Sequence, residues 1–327
     1  MPGKGCETIS KKKNIMLSAG GTATTWHLAS LILEKFSAYY KILICDINPQ
    51  HLVPASRLAE TYLQVPRIDS PDYHSHMLGL FDEHGVDIYV PLIDADVHNF
   101  PIDAAELVTR GIRSTGVRRS TSAIIGNKRN LSAFLESHGI GSPRTVSQKE
   151  VAHALSCKFF VKPEQGCGSV GARVADAEDV LRTLEREPDL LVQELCRGPE
   201  ITVEVFNRGT VLSICRERLE TKAGVCTKAR IFSDDALHSL AEQLCTVLDL
   251  PVAFCFQVMR GADDKWLITD LNPRLGAGTA LSTAYGWSLA SAALACWGDL
   301  PFDPTVFLRT SPGDKHVVRV YQEQVMD

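Results

Sequence analysis

The spacing of apolar and polar residues in the first third of the chain predicts alternating parallel strands and helices. Residues 14–19 form an apolar run typical of a buried strand, a polar turn follows at residues 20–22, and residues 26–33 carry apolar side chains at helical spacing. Residues 41–46 form the next predicted strand. This unit is typical of Rossmann-type folds. The turn lacks the G-x-G-x-x-G fingerprint, so it predicts a scaffold and not a dinucleotide site.

A further predicted strand, residues 87–91, is followed by the acidic residues Asp94 and Asp96. Ligands of open α/β sheets bind at the carboxyl ends of the strands, which makes both residues candidates for substrate binding. A solvated loop or a helix N-cap explains the same residues equally well. Residues 112–118 are predicted to form a short strand and a turn that close this unit.

A glycine-rich segment near the middle of the chain has phosphate-binding chemistry. An amphipathic helical stretch that contains Lys128 is predicted over residues 119–139, and a short strand over residues 159–163 carries Lys162. The loop after this strand offers backbone N–H groups that can approach phosphate oxygens. No G-K-[ST] ends the loop, so it predicts a hairpin over phosphates, with an ordinary flexible hairpin as the alternative. Its candidate residues are Gly166, Gly168 and Ser169.

The second half of the chain is predicted to be rich in antiparallel strands. Period-two alternation and turn residues delimit three consecutive strands, one helix and a final pair of strands. The predicted ranges are residues 190–195, 201–206 and 211–216 for the three strands, 236–248 for the helix, and 254–259 and 266–270 for the pair.

The end of the last strand predicts a magnesium site. Asp270 and Asn272 point to one face because side chains alternate along a strand, and Gln257 on the paired strand converges with them. Mg²⁺ prefers such oxygen ligands and completes its shell with water and substrate phosphates. Arg274 lies two residues further on, where a guanidinium group can grip a phosphoryl group. A strand end followed by a polar turn is the alternative interpretation.

Composition narrows the class of protein. The chain has 327 residues and a net charge of −5, so no basic field attracts nucleic acid. Its ten cysteines are scattered without a C-x-x-C pair, which favours reduced thiols in a cytoplasmic protein over a zinc site or disulfides. The uncharged segment 275–298 is crowded with Gly, Ser, Thr and Ala, so it predicts a buried helix and not a membrane span.

Taken together, these segments resemble the ATP-grasp ligases, in the carbamoyl-phosphate-synthetase-like branch that includes the pyrrolysine-pathway ligases. The resemblance covers most of the chain and rests on the order and spacing of short motifs. These are Lys128, Lys162-Pro163, Gly166, Gly168-Ser169, Gly171, Gln193-Glu194, Gly198, Glu200, Glu204, Gln257 and Asp270-Leu271-Asn272-Pro273-Arg274.

The resemblance implies an ATP-grasp fold, with α/β and α+β parts, in three domains. Residues 1–118 would form a Rossmann-like domain, residues 119–192 a small lid domain, and residues 193–327 an antiparallel-sheet domain, with ATP between the last two. It also implies one or two Mg²⁺ ions, with Mn²⁺ as a substitute, and a homodimer, since relatives often are dimers. The substrates would be a small carboxylate and an amine.

The resemblance further implies a role for each candidate residue. Lys128 and Lys162 would contact the nucleotide phosphates under the Gly166, Gly168 and Ser169 loop. Gln193, Glu194 and Leu195 would form the adenine hinge, and Glu200 or Glu204 would hold the ribose. The metal ligands would be Gln257, Asp270 and Asn272, and the catalytic residues Arg274, Lys162 and Arg218. Arg216 is a further candidate for contact with the substrate, with a solvated charge on a sheet edge as the alternative for such residues.

The implied activity is ATP-dependent amide bond formation through an acyl phosphate. Two departures from the family pattern concern the number of metal ions: Asp270 stands where the family usually has Glu, and Asn127 stands where an Asp commonly precedes the first lysine. Activation of bicarbonate or formate is a second enzymatic interpretation. A non-catalytic nucleotide sensor is a third, and an NAD-dependent oxidoreductase is a fourth that rests only on the N-terminal unit.

Overall fold

The computed structural model describes residues 11–165, 171–187, 189–309 and 313–326 of the chain. Three β-sheets organise these residues. Each sheet is built from consecutive parts of the chain, and the predicted mixture of a parallel sheet and antiparallel sheets is confirmed.

The first sheet is parallel and has the strand order β3-β2-β1-β4-β5. Its strands are β1 (Lys13–Leu17), β2 (Tyr40–Asp46), β3 (Thr61–Gln64), β4 (Ile88–Val90) and β5 (Arg113–Ser114). The helices that connect them are α1 (Ala23–Leu31), α2 (Tyr73–Glu83), α3 (Asp94–Asn99) and α4 (Ala105–Arg110). The strand order reverses between β1 and β4, so α3 begins at the topological switch point where open α/β sheets bind ligands.

The amphipathic stretch 119–139 forms two helices instead of one. They are α5 (Arg119–Ile125) and α6 (Lys128–Ser137). Asn127 separates them because its side chain caps α6 and accepts hydrogen bonds from the N–H groups of Arg129 and Asn130. Lys128 is therefore the first residue of α6. Both helices share a core with the largest sheet, and the domain limits at residues 118 and 192 stay predictions.

The second sheet is small and has the order β7-β6-β8. It consists of β6 (Lys158–Pro163), β7 (Arg173–Asp176) and β8 (Leu190–Glu194), and it packs against α7 (Gln148–His153) and α8 (Ala177–Leu184). The prediction that residues 190–195 continue into the following antiparallel strands is wrong. Strand β8 pairs with β6 because its apolar side chains complete this separate core.

The third sheet is antiparallel with the order β13-β12-β9-β10-β11-β14. Its strands are β9 (Arg197–Asn207), β10 (Val211–Lys222), β11 (Val225–Phe232), β12 (Ala253–Arg260), β13 (Trp266–Asn272) and β14 (Lys315–Val318). One face packs on α5, α6 and α9 (Asp235–Val247). The opposite face is apolar at one end, where it shares a core with the parallel sheet, and polar at the other.

The uncharged segment forms two short buried helices, α10 (Thr279–Tyr285) and α11 (Leu289–Trp297). All nine side chains of α11 are buried between the third sheet and the parallel sheet. Among the described residues, no helix has the length and apolar character needed to cross a membrane. Eight cysteines lie in the described ranges, and each is a free thiol.

Candidate active site

The pairing of β12 with β13 brings the three predicted metal ligands to one face of the third sheet. Gln257 lies opposite Asp270, and Cys255 lies opposite Asn272. The amide nitrogen of Asn272 donates to Oδ2 of Asp270 over 2.8 Å. The period-two argument therefore predicted correctly that Asp270 and Asn272 share a face.

Arg274 joins this group to the parallel sheet. Its Nε and Nη2 donate to the two carboxylate oxygens of Asp94 over 2.8 and 3.0 Å, and Nη2 also donates to Oδ1 of Asn272 over 3.1 Å. Bidentate pairs of this kind are among the strongest charge-assisted hydrogen bonds. The side chains of Arg274 and Asp94 are 16% and 23% exposed, so the pair is reachable from one side.

Lys162 approaches the same group from the small sheet. Its Nζ donates to the backbone carbonyl of Thr269 over 2.9 Å, and its side chain is buried. Burial lowers the pKa of Lys162 to about 8, against the opposing attraction of Asp270, and the nearby charge of Lys128 lowers it further. A buried ammonium group with a neutral carbonyl partner is suited to an incoming phosphate.

Glu164 fixes Lys128 beside Lys162, and sequence reasoning missed it. The carbonyl of Glu164 accepts from the N–H of Lys128, and its carboxylate accepts from Asn127 and Arg129. These bonds tie the end of β6 to the start of α6. The signal in the sequence was the position of Glu164, two residues after the predicted phosphate-binding lysine.

A second polar group lies further along the same face. Nη1 of Arg218 lies 3.3 Å from Oε1 of Glu200, and its Nη2 donates to the carbonyl of Gly224 over 2.9 Å. With its amide oxygen toward Arg218 and its amide nitrogen toward Glu200, Gln257 accepts a hydrogen bond from Arg218 over 2.6 Å and donates one to Glu200 over 3.3 Å. Gln257 is thus engaged with these two residues, although it lies opposite Asp270 in the sheet.

Arg216 and Glu204 form a buried ion pair beneath the loop that follows Arg274, and we call it the sealed pair. Nη2 of Arg216 donates to Oε1 of Glu204 over 3.1 Å, and their side chains are 4% and 0% exposed. A Cβ atom added at Gly278 would lie 2.1 Å from Cζ of Arg216, so the loop backbone rests directly on the guanidinium group. The predicted ribose contact of Glu204 and substrate contact of Arg216 gain no support from this placement.

The predicted adenine hinge lies at the end of β8. Gln193 is buried and its amide donates to the carbonyl of Pro143, while Glu194 bonds Arg144 through both its backbone N–H and its carboxylate. Leu195 is an exposed apolar side chain. The predicted phosphate loop residues Gly166, Gly168 and Ser169 lie outside the described residues.

The structure separates Asp96 from Asp94. Asp96 is buried in the parallel-sheet unit, where the hydroxyl of Tyr73 donates to its carboxylate. Burial raises the pKa of Asp96, although the hydrogen bonds it receives act in the opposite direction. The two carboxylates were predicted together as substrate contacts, and only Asp94 faces the group around Arg274.

The donor chemistry of this face fits Mg²⁺ with a nucleotide. In the described part of the chain, no cluster of three or more His, Cys, Asp or Glu residues could hold a metal ion by itself. Next to Arg274, β13 offers the carboxylate of Asp270 and the amide oxygen of Asn272, whereas the carboxylates of Glu200 and Glu204 are paired with arginines. Mg²⁺ sites that use substrate phosphates need only one or two protein carboxylates, so the residues fit such a site.

Comparison with protein families gives two matches that follow the order of the structural parts. Residues 15–113 match the PylC-like N-terminal domain, and residues 125–278 match the ATP-grasp domain. The second match contains Lys128, Lys162, Asp270, Asn272 and Arg274. The chain therefore contains an ATP-grasp domain behind a PylC-like N-terminal domain, and the resemblance to the ATP-grasp ligases is confirmed.

One curated relative and two solved structures are similar to this chain. The 3-methyl-D-ornithine--L-lysine ligase of Methanosarcina acetivorans is 32% identical over 93 residues, which are 28% of this chain and 23% of the relative. The N5-carboxyaminoimidazole synthetase of Staphylococcus aureus has a TM-score of 0.70 at 12% identity, over 90% of this chain and 80% of that one.

The biotin carboxylase domain of the Hydrogenobacter thermophilus 2-oxoglutarate carboxylase has a TM-score of 0.74 at 13% identity, over 94% of this chain and 74% of that one. That structure is a dimer in complex with magnesium ADP, ADP and bicarbonate. At these identities the two solved structures show a shared fold alone. The aligned part of the curated relative is less than a quarter of its length, so its activity is not carried over by the match itself.

Proposed function

We propose that the chain is an ADP-forming ligase that activates a small carboxylate with ATP and joins it to an amine. The observation that carries this proposal is the convergence of Lys162, Asp270, Asn272 and Arg274 from two sheets, with Asp94 at the switch point of the third. Buried cations beside oxygen donors are the equipment of phosphoryl transfer, in which catalysis is mostly positioning and charge stabilisation.

Each residue of the proposed site has a proposed role. Lys128 and Lys162 contact the nucleotide phosphates, and Arg274 stabilises the transferred phosphoryl group. Asp270 and Asn272 hold Mg²⁺, which when bound offsets the charge of the phosphates. A single carboxylate in this set favours one tightly held ion over two, and binding of Mn²⁺ followed by electron paramagnetic resonance would count them.

The remaining predicted residues belong to the same proposal. Gln193, Glu194 and Leu195 contact the adenine, and Glu200 holds the ribose. Gln257 is a further metal ligand and Arg218 a catalytic residue, and both are held beside the ribose residue Glu200. Gly166, Gly168 and Ser169 cover the phosphates.

The proposed chemistry converts a carboxylate, which repels nucleophiles, into an acyl phosphate with a good leaving group. The carboxylate oxygen attacks the γ-phosphorus of ATP and ADP leaves. The deprotonated amine then attacks the acyl carbon, the C–N bond forms, and phosphate leaves. Closure of the small sheet over the site would exclude the water that otherwise hydrolyses the intermediate.

Amino acids are the proposed substrate class. The curated relative is named for the joining of two amino acids, 3-methyl-D-ornithine and L-lysine. An amino acid offers both the carboxylate and the ammonium group that the charges of this face can bind. A homodimer remains a prediction, which sedimentation velocity would test.

The proposal is tested by the release of ADP and phosphate from MgATP against a panel of amino acids, singly and in pairs. The panel includes L-lysine and D-ornithine, and mass spectrometry identifies the product. Stimulation by one pair with an amide product supports the ligase. Silence across the panel together with binding of MgADP would support the nucleotide-sensor interpretation instead.

Two substitutions test the site assignment in the same assay. We expect Lys162→Ala and Asp270→Ala to abolish turnover, with far-ultraviolet circular dichroism and melting temperature close to those of the wild-type chain. Retained turnover in either folded variant would contradict the assignment. The Asp299→Asn variant is the matched control, because Asp299 pairs with Arg113 away from the site.

A further inference from the structure

The Asp94–Arg274 pair has two properties that are seldom combined. It connects separate sheets, because Asp94 begins α3 at the switch point of the parallel sheet and Arg274 follows β13 of the antiparallel sheet. It is also reachable from solvent, with both side chains partly exposed. A small molecule that approaches the exposed side of the pair can therefore contact both members.

The pair engages the guanidinium group to which we assign the phosphoryl role. Two of its nitrogens donate to Asp94, and Nη2 also donates to Asn272. The amide nitrogen of Asn272 in turn donates to Asp270. A continuous relay thus runs from Asp94 through Arg274 and Asn272 to Asp270. While these hydrogen bonds are made, the guanidinium group of Arg274 and the amide oxygen of Asn272 are both engaged within the protein.

We propose that Asp94 couples binding of the amine substrate to phosphoryl transfer. The ammonium group of the amine binds the Asp94 carboxylate and displaces Arg274, which can then turn toward the phosphoryl group of ATP. This inference rests on the proposed ligase function and deepens it. The ligand class that opens the relay is a primary ammonium group, and Asp94 is the residue that selects it.

The charges of the site explain why an ammonium group is the fitting competitor. Asp94 can accept charge-assisted hydrogen bonds from an ammonium group as it does from the guanidinium group. Exchange of one cation for another leaves the carboxylate neutralised, whereas removal of Arg274 alone would leave a partly buried charge without a partner. A ligase gains from this coupling, because ATP is not consumed before the amine is present.

The most direct test is the hydrolysis of MgATP alone by the Asp94→Asn variant. Asparagine has the shape of aspartate and lacks the charge that holds Arg274. We expect amine-independent release of phosphate to rise about tenfold over the wild-type chain, a size that is ordinary for coupling between sites. We also expect the active amine of the panel to stimulate ATP hydrolysis by this variant little or not at all. L-lysine is the first amine to be tested.

The control variant is Asp299→Asn. Asp299 pairs with Arg113 of β5 over 2.7 Å and so also connects the parallel sheet with the C-terminal part of the chain. It has a backbone φ of +50°, a region that asparagine tolerates. Its substitution changes the net charge by the same amount, and we expect hydrolysis and amine stimulation to stay at wild-type levels.

A binding measurement gives a readout that does not depend on turnover. We expect Asp94→Asn to bind the non-hydrolysable analogue AMP-PNP with Mg²⁺ about fivefold to tenfold more tightly by calorimetry, because its guanidinium group is free for phosphate. Asp299→Asn should bind it as the wild-type chain does. Unchanged or weaker binding by Asp94→Asn would overturn the proposal.

The outcomes separate this inference from the ligase function. Suppose that an amine stimulates the wild-type chain. If Asp94→Asn then loses turnover, Asp94 only orients Arg274; if its ATP hydrolysis without amine equals that of the wild-type chain, Asp94 is uninvolved. Either result overturns the coupling. If the wild-type chain responds to no pair of amino acids, the ligase function is contradicted. A melting curve close to wild type shows that Asp94→Asn is folded.

Discussion

Two arginine–carboxylate pairs near the end of β13 differ in what surrounds them. Arg216 and Glu204 belong to neighbouring strands of one sheet, are almost wholly buried, and lie under the backbone of Gly278. Arg274 and Asp94 come from different sheets and remain partly exposed. The same pairing of charges is thus enclosed within one sheet in the first case and open to solvent between two sheets in the second.

This contrast teaches that burial decides which ion pair can act as a switch. A sealed pair cannot exchange its partner without unfolding the loop above it, and breaking it leaves a buried charge. A partly exposed pair loses less when it opens, since water and ligands replace the lost partner. The predictions below test this contrast, beginning with the largest effect.

Loss of the sealed carboxylate is expected to have the largest effect on stability. We expect Glu204→Gln to lower the free energy of unfolding by about 3–5 kcal/mol, because Arg216 keeps its charge in a buried site without a counter-charge. Urea denaturation followed by circular dichroism measures this change. A loss below about 1 kcal/mol would mean that the pair is hydrated, and it would contradict the difference between the two pairs.

Loss of the exposed arginine is expected to affect catalysis instead of stability. We expect Arg274→Ala to lower kcat by about 100-fold to 1000-fold, the usual cost of removing a donor that stabilises charge in the transition state. Its KM for ATP should change much less than its kcat. A variant with a raised KM and an unchanged kcat would show that Arg274 binds the ground state and does not serve phosphoryl transfer.

The buried ammonium group of Lys162, which approaches this face from the small sheet, gives a prediction for pH. Its pKa is lowered to about 8, so the ammonium group is charged below that pH and neutral above it. We expect the affinity for MgADP to fall by up to about tenfold per pH unit as pH rises above 8, with proton uptake on binding. Calorimetry in buffers of different ionisation enthalpy measures the uptake, and Lys162→Ala should abolish it.

The smallest effect is expected for the stability of Asp94→Asn. Because the Arg274 pair is partly exposed, we expect this variant to lose about 1 kcal/mol or less of unfolding free energy. The comparison with Glu204→Gln in the same denaturation experiment sharpens the contrast between the pairs. Equal losses in the two variants would show that exposure does not distinguish them.

The sequence contained the local part of this site and not its long-range part. Alternation along one strand is enough to place Asp270 and Asn272 on the same face, and the Lys162 strand was bounded to within one residue. The break between α5 and α6 was missed because the apolar spacing runs through it, although Gly126 and the Asn127 cap mark it. Local signals of this kind are present in the chain and can be read.

Contacts between distant segments could not be predicted in this way. Asp94 and Arg274 are 180 residues apart, and only the packing of the sheets brings them together. Glu204 and Glu200 look alike in an alternating strand, yet one is sealed under the Gly278 loop and the other faces Arg218. The same holds for Asp96, whose burial against Tyr73 depends on α2.

The central claim is that the polar face of the antiparallel sheet binds MgATP, and calorimetric titration with MgADP tests it most directly. We predict binding by the wild-type chain and by Asp299→Asn, strong weakening in Lys162→Ala and Asp270→Ala, and no binding of NADH by any of them. Undiminished MgADP binding by the two folded site variants, or binding of NADH in its place, would contradict the account.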